Sequence, residues 1–382
     1  MKNIELSLNF LSKNIIKVIL FLGIASFPIY IFPPGSIQIT HILLLLFSIL
    51  VLTIIGIPRN KYFYVFLFFL FYNYVVNIFY FYKDFFIITD ITLKYYKELT
   101  FLTYNFILTI SLISYLKTQK MDYIVFYGII FATLIILSHL FFGFFFGELD
   151  YRYHSTFNNP NQLGYFSACC FSLIYLFYRN NFISYYLMFF LMLLFIFISI
   201  LTLSKAAYFA LFLCFLFAIK PFNYKYGKIF WIVFFLTVIA LFIIFFSKIS
   251  ELGVYNRTIN VFNEQDSSLE VRGYTVYFQA SFLQSIFGMG PKNIYTIHGY
   301  EVHSTFMMIL TSYGIIGFLT FVLLTLFWIF DVKKLYGIYG VICICGPVLL
   351  YGLTHNGIRF SIFYILFATS IFMSNKLVQE KI

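Results

Sequence analysis

The chain has 382 residues, of which 62% are hydrophobic and only 10% charged, with 56 Phe, 33 Tyr and a mean hydropathy of +0.93. No water-soluble core needs that much apolar surface, so soluble enzymes and soluble binding modules are excluded. In a chain of this kind a net charge of +11 records membrane topology rather than affinity for nucleic acid, and no nucleic-acid partner is expected.

A hydrocarbon slab of about 30 Å takes roughly 20 apolar residues per helix. Runs of that length predict spans near 15–33, 38–57, 62–82, 99–116, 122–145, 162–178, 182–203, 206–219, 229–247, 304–330, 335–353 and 358–375, about twelve in all. Open sheets are excluded because unpaired backbone groups in lipid cost too much, and the runs are too continuous for barrel strands. The expected fold class is an all-α polytopic membrane protein, with 1–382 forming a single integral membrane domain. The first run, after Lys13 and Lys17, is too long for a signal-peptide core and no A-x-A-like site closes it, so it is read as retained.

Charge sets the expected orientation. With a cytoplasmic N-terminus, fifteen of the 25 lysines and arginines fall in inner segments and ten in outer ones, and both termini are cytoplasmic. Cys169, Cys170, Cys214, Cys343 and Cys345 all fall within spans and read as packing residues; the Cys343-x-Cys345 pair does not share a helix face. The segment from Lys83, "KDFFIITDITLKYYKEL", reads as a second interfacial stretch with no assigned chemistry.

One connection is long. Residues 248–303 form an outer loop, in which Ser267 and Glu270 make an S-x-x-E capping box. Tyr274, Tyr277, Phe278 and Phe282 then share one side, which predicts an amphipathic helix on the bilayer surface or capping the bundle. "GMGPKN" follows as the turn that ends it. No glycine-rich phosphate loop is present, which disfavours nucleotide-driven work.

Ionisable groups at or near a membrane are functional hypotheses by default. Arg152, Lys205, Arg272 and Arg359 are all expected on the outer side, Lys205 in the very short hairpin "LTLSKAAYF". Snorkelling is the plain alternative for that lysine, and interfacial anchoring for Arg359. All six histidines are expected in outer loops or at outer span ends, and histidine is the natural general base near neutral pH. His298 and His303 lack a third ligand at a familiar spacing, so no metal is expected. A cation-rich outer site with a base and no metal suits an anionic, lipid-linked substrate whose diphosphate must leave. On chemistry alone, a helical bundle with ordinary interfacial anchors stands level with that reading.

"RYHSTFNNPNQLGYF" resembles the R-x-x-G-T-F-x-N-P-N-x-L-A pattern of the O-antigen ligase and polymerase superfamily. Arg152 falls on the arginine, Asn159, Pro160 and Asn161 on the N-P-N, and Ser155 replaces the glycine. "LSKAAYF" is similar to that family's S-R-[GA]-[AS] hairpin, with Lys205 for arginine. "EVRGYTVYFQASFLQSIFGMGPKN" resembles its arginine-led loop helix followed by G-x-G, with Arg272 on the arginine. "HSTFMMILTSYGIIGFL" resembles its histidine-led span, with His303 on the histidine and Ser304 for asparagine. The likeness covers roughly residues 150–320; earlier spans contribute topology only.

The resemblance implies a metal-independent, cofactor-free inverting glycosyltransferase of the bacterial inner membrane, using undecaprenyl-pyrophosphate-linked glycans at the outer face. It gives His303 the role of base. Arg272 and Lys205 stabilise the departing pyrophosphate, and Arg152, with the N-P-N amides of Asn159 and Asn161, holds phosphate or sugar. Glu301 is a candidate to orient the imidazole, and Arg359 a further cation. Expected partners are the lipid-linked glycans, membrane lipids, a flippase and a chain-length regulator. A polymerase of O-antigen or capsule repeat units is the preferred expectation. A ligase to lipid A core or protein is the alternative within the family, and a lipid-linked sugar transporter the alternative outside it. The transporter lacks the expected mid-membrane ionisable groups and inverted-repeat symmetry.

Overall fold

A computed structural model describes residues 2–33, 36–83, 90–118, 122–146, 152–219, 273–299 and 302–373. Among these, every regular element is helical. Eight helices come first: α1 (Lys2–Ala25), α2 (Ile39–Ile54), α3 (Lys61–Lys83), α4 (Asp90–Thr118), α5 (Asp122–Phe146), α6 (Pro160–Arg179), α7 (Tyr185–Leu201) and α8 (Lys205–Ala218). After a 3₁₀ turn at Val276–Gln279 come α9 (Phe282–Phe287), α10 (Gly290–His298), α11 (Thr305–Gly340), a π-helical turn at Val341–Cys345, α12 (Gly346–Gly352) and α13 (Ser361–Phe372). The expected span at 229–247 lies outside the described residues, as do Arg272 and Glu301.

Among the described residues, four apolar helical stretches are long enough to cross a membrane: Lys61–Tyr80, Glu98–Thr118, Tyr123–Phe146 and Thr305–Gly352. Shorter apolar helices include Ile39–Ile54, Tyr185–Leu201 and Lys205–Ala218. Their outward faces display large side chains such as Phe79, Phe145, Phe190 and Phe209, which water would reject and hydrocarbon accepts. The protein is membrane-embedded.

Helix α6 is the axis of the bundle. Every residue from Leu163 to Phe177 is buried, as expected for a helix that is apolar all round. It packs against α5, α7, α8, α12 and α13. Asn159 caps its start, accepting from the Gln162 amide at 3.0 Å, and Pro160 occupies the first turn where a missing N–H costs nothing.

The two ends of the bundle are chemically distinct. At the Arg179 end, Lys61 pairs with Asp331 at 2.9 Å, Lys17 lies 5.9 Å from the Tyr123 ring, Lys117 lies 5.5 Å from that of Phe372, and Asn180 donates to the Tyr336 hydroxyl. At the Pro160 end lie Arg152, the α7–α8 hairpin, the start of α11 and the α12–α13 loop.

Three expectations are corrected here. The expected amphipathic helix is absent over its described part: residues 273–275 form a turn, the 3₁₀ turn follows, and the backbone is extended at Ala280 (ψ 138°) and Ser281 (ψ 164°). Ser281 and Gln284 form a capping box of their own, bonding reciprocally at 3.4 and 2.9 Å, so a new short helix starts there. Phe278 and Phe282 therefore do not share one helical face. The second correction concerns the break expected between 330 and 335. Helix continues through Lys333 and Lys334, and the non-helical backbone falls instead at Gly314 (φ 64°) and Gly337 (φ 72°). These breaks let the 48-residue stretch fold back, so that Ser304 Oγ donates to the Gly352 carbonyl at 3.3 Å. The segment from Lys83 is also not a separate interfacial element throughout, since its residues from Asp90 onward are the first turns of α4.

Candidate functional site

The site is built around a segment that carries a forced backbone. Ser155 has φ 54°, the left-handed region that favours glycine, at the position where the resembled pattern has glycine. That turn throws Arg152 and Tyr153 back against the α7–α8 hairpin. The Tyr153 amide donates to the Leu201 carbonyl at 3.1 Å, and Arg152 Nε donates to the Thr202 carbonyl at 3.2 Å. Arg152 Nη2 also donates to Asn161 Oδ1 at 3.2 Å, so the guanidinium plane is fixed from two helices. Burial raises the Tyr153 phenol to about 12, with the Ser155 hydroxyl pulling it partly back, and the neutral hydroxyl donates to the Ile136 carbonyl at 2.8 Å.

The hairpin carries a second strained residue. Leu203 has φ 54°, an unusual conformation for a γ-branched side chain, and it presents Ser204 inward and Lys205 outward. Ser204 is buried; Lys205, the first residue of α8, is exposed. Ser204 Oγ lies 3.1 Å from the Tyr351 hydroxyl, which donates to the Asn161 carbonyl at 3.2 Å, so the serine is the donor to tyrosine. Tyr351 is fully buried, and the His355 ring stacks on it at 4.4 Å and 25°. Gly164 makes room for it: a Cβ there would stand 3.1 Å from the Tyr351 oxygen.

The start of α11 joins the same group. Thr305 Oγ1 donates to the His355 carbonyl at 3.0 Å and accepts from the Gly357 amide at 2.8 Å. Ser304 caps α11 by accepting from the Met307 amide at 3.3 Å. His303, immediately before it, is exposed. Arg152, Asn161, Lys205 and His303 are thus carried by segments that meet through Tyr351, Ser204, Ser304 and Thr305.

No family model matches the chain, and no curated protein matches it. The resemblance therefore rests on the quoted stretches alone.

Arg359 stands apart. It lines a small, partly open cavity of about 30 Å³ behind the N-P-N turn, together with Phe157, Gln162, His41 and Ser361, which is room for one or two waters. Its guanidinium approaches Glu98 at 3.9 Å, and its carbonyl accepts from Asn105 Nδ2 at 3.1 Å. Asn159 turns its side chain to capping, while Asn161 divides its two oxygens between Arg152 and Tyr351. Among the described residues no three His, Cys, Asp or Glu side chains come together as a metal set.

The G-x-G stretch has a packing explanation. Gly288 (φ 98°) and Gly314 (φ 64°) touch backbone to backbone: a Cβ on either would stand 2.3 Å from a carbonyl oxygen across the contact. The Met289 amide donates to the Thr311 carbonyl at 2.9 Å, while Tyr72 and Tyr80 donate to the carbonyls of Phe287 and Gly288 at 2.9 and 2.7 Å. These bonds seat the end of the long loop in the break of α11. Sequence reading missed Tyr351, Thr202 and Thr305. Thr202, Ser204 and Thr305 lay within quoted stretches without being singled out, and Tyr351 carries no local signal that sets it off from neighbouring residues.

Proposed function

We propose that this chain is a polysaccharide polymerase of the bacterial inner membrane that joins undecaprenyl-pyrophosphate-linked repeat units into O-antigen or capsule. One observation carries the reading. Four stretches distant in sequence, around 152–161, 202–205, 303–305 and 351–357, are joined by one hydrogen-bonded group at one end of the bundle.

Topology supports an outward site. Among the described residues, Lys17, Arg59, Lys61, Lys117, Arg179, Lys333 and Lys334 belong to the opposite end, and the positive-inside rule puts that end in the cytoplasm. About twelve spans with both termini inside then complete the fold.

On this reading the acceptor hydroxyl of one repeat attacks the anomeric carbon of the lipid-linked chain. The new C–O bond forms from the face opposite the leaving group, the anomeric C–O bond to pyrophosphate breaks, and its electron pair departs with undecaprenyl pyrophosphate. His303 takes the hydroxyl proton. Lys205, at the N-terminus of α8 where the helix dipole also favours anions, and Arg272 offset the charge that develops on pyrophosphate. Arg152, its plane fixed by Thr202 and Asn161, positions phosphate or sugar. Arg359, set apart behind the N-P-N turn, is a further cation with no step of its own in this reaction. Glu301 orients the imidazole. No metal or other cofactor takes part, and a flippase and a chain-length regulator act as partners.

Deletion of the gene tests this. Surface glycans reduced to single capped repeats support polymerisation. Long lipid-linked polymer that never reaches its final acceptor would identify a ligase instead, and repeat units held on the inner leaflet would identify a transporter.

A further inference from the structure

We propose that a groove between α1 and α5, at the end of the bundle opposite the candidate site, binds one anionic phospholipid, with an acyl chain along its wall and the phosphate on Lys17.

The two helices run in the same direction and meet at Gly128, where an added Cβ would stand 2.8 Å from Ile24 Cγ2. Beside that contact they enclose an open groove of about 600 Å³. The size falls within the range of about 300–1,000 Å³ for small-molecule sites. Its wall is apolar, made by Val18, Phe21, Ile130, Phe131 and the Tyr127 ring, and Lys17 is the one charged residue among the described residues that line it. The lysine lies at one end, with its Nζ 5.9 Å from the Tyr123 ring. A tyrosine and a lysine at the same level are what a headgroup boundary selects.

Dimensions and charge choose the occupant. From Tyr123 to Leu134 the groove follows α5 over 12 residues, about 16 Å of helix between the first and the last. That is close to one leaflet's share of a hydrocarbon core of about 30 Å. A phospholipid of that leaflet would fill it with its phosphate at the lysine. The rest of the same end is basic, through Arg59, Lys61, Lys117, Arg179, Lys333 and Lys334, so the leaflet around it is one that collects anionic lipid. The groove is a second lipid site, distinct from the one that handles a lipid-linked glycan, and it holds whatever chemistry the other end performs.

The test uses the full chain, purified and stripped of lipid in a neutral detergent, with native mass spectrometry reading the retention of phosphatidylglycerol or phosphatidylcholine of identical acyl chains. Wild type retains phosphatidylglycerol in preference. Lys17→Gln lowers that preference about fivefold, the worth of one lysine at an anionic surface, whereas Lys17→Arg keeps it. Val18→Trp fills the groove and reduces retention of both lipids. Equal retention of the two lipids by wild type, an unchanged preference in Lys17→Gln, or unchanged retention in Val18→Trp overturns the proposal. So does a lipid-insensitive dimer cross-linked through Tyr127→Cys, which would show a second copy covering the groove.

Discussion

Tyr351→Phe removes one oxygen atom from the centre of the candidate site and changes nothing else in volume. In the native fold that oxygen accepts from Ser204 at 3.1 Å and donates to the Asn161 carbonyl at 3.2 Å, with the tyrosine fully buried. Without it a buried serine loses an acceptor and a buried carbonyl loses a donor, each worth roughly 1–3 kcal/mol when left unmade, and partial relaxation brings the sum to about 2 kcal/mol. The ring stays, so its stacking on His355 is retained. The loss appears as a lower melting temperature of the detergent-solubilised protein, followed by gel filtration after heating, and as shortened surface polymer because the hairpin bearing Lys205 then keeps only the Arg152 bridge to the N-P-N segment. A companion variant sharpens the test. A Cβ at Gly164 would press on the Tyr351 oxygen at 3.1 Å and on Ala207 at 3.3 Å, at a cost of about 1 kcal/mol. Combined with Tyr351→Phe, its first contact is gone, so the pair costs at least about 0.5 kcal/mol less than the sum. Strict additivity, or a Tyr351→Phe protein with unchanged melting and unchanged polymer, refutes the network.

Three further expectations concern backbone, pH and charge. Gly314→Ala drives a Cβ to 2.3 Å from the Ile286 carbonyl oxygen and prevents accumulation of folded protein, whereas Gly337→Ala, at a similar φ but in open space, costs only about 1 kcal/mol; equal yields of the two would contradict the docked loop. Tyr153 has its phenol raised to about 12 in the fold against about 10 in an unfolded chain, so its contribution is complete below pH 10 and is lost as pH climbs through 12. Melting curves of wild type should fall more steeply across that window than those of Tyr153→Phe, and parallel curves would argue against the buried donor. Lys205→Gln is expected to lower polymer synthesis about tenfold or more, the scale of one charge-assisted contact, while Lys205→Arg retains it; equal loss in both would show that shape rather than charge matters there.

Composition and run length made the helical, membrane-embedded character readable, because hydrocarbon imposes one backbone solution on every span. The start of α6 was equally legible, since Asn159 and Pro160 announce a cap and a first turn whatever surrounds them. Local rules failed where tertiary contact overrode them. The stretch 267–285 has the periodicity of one amphipathic helix, yet Ser281 caps a new helix and the following glycines dock into α11, a contact that no window of the sequence contains. Lys333 and Lys334 suggested a loop by charge, but at a membrane boundary helical lysines can reach water without breaking the helix, and the break went to Gly337. Arg152, Lys205 and His303 could be picked because charge near lipid is conspicuous. Tyr351 could not: it is one of 33 tyrosines, and only the fold shows that it stands between Asn161 and Ser204.

The central claim is that His303 takes the proton from an acceptor sugar, and the direct measurement is polymer formation from lipid-linked repeat units by purified His303→Ala protein, with its melting temperature recorded alongside. Because His303 is exposed, the variant should melt like wild type. Its rate should fall by about 10²–10⁴, the usual worth of a general base. Long polymer made at the wild-type rate by a normally folded His303→Ala protein would contradict the account.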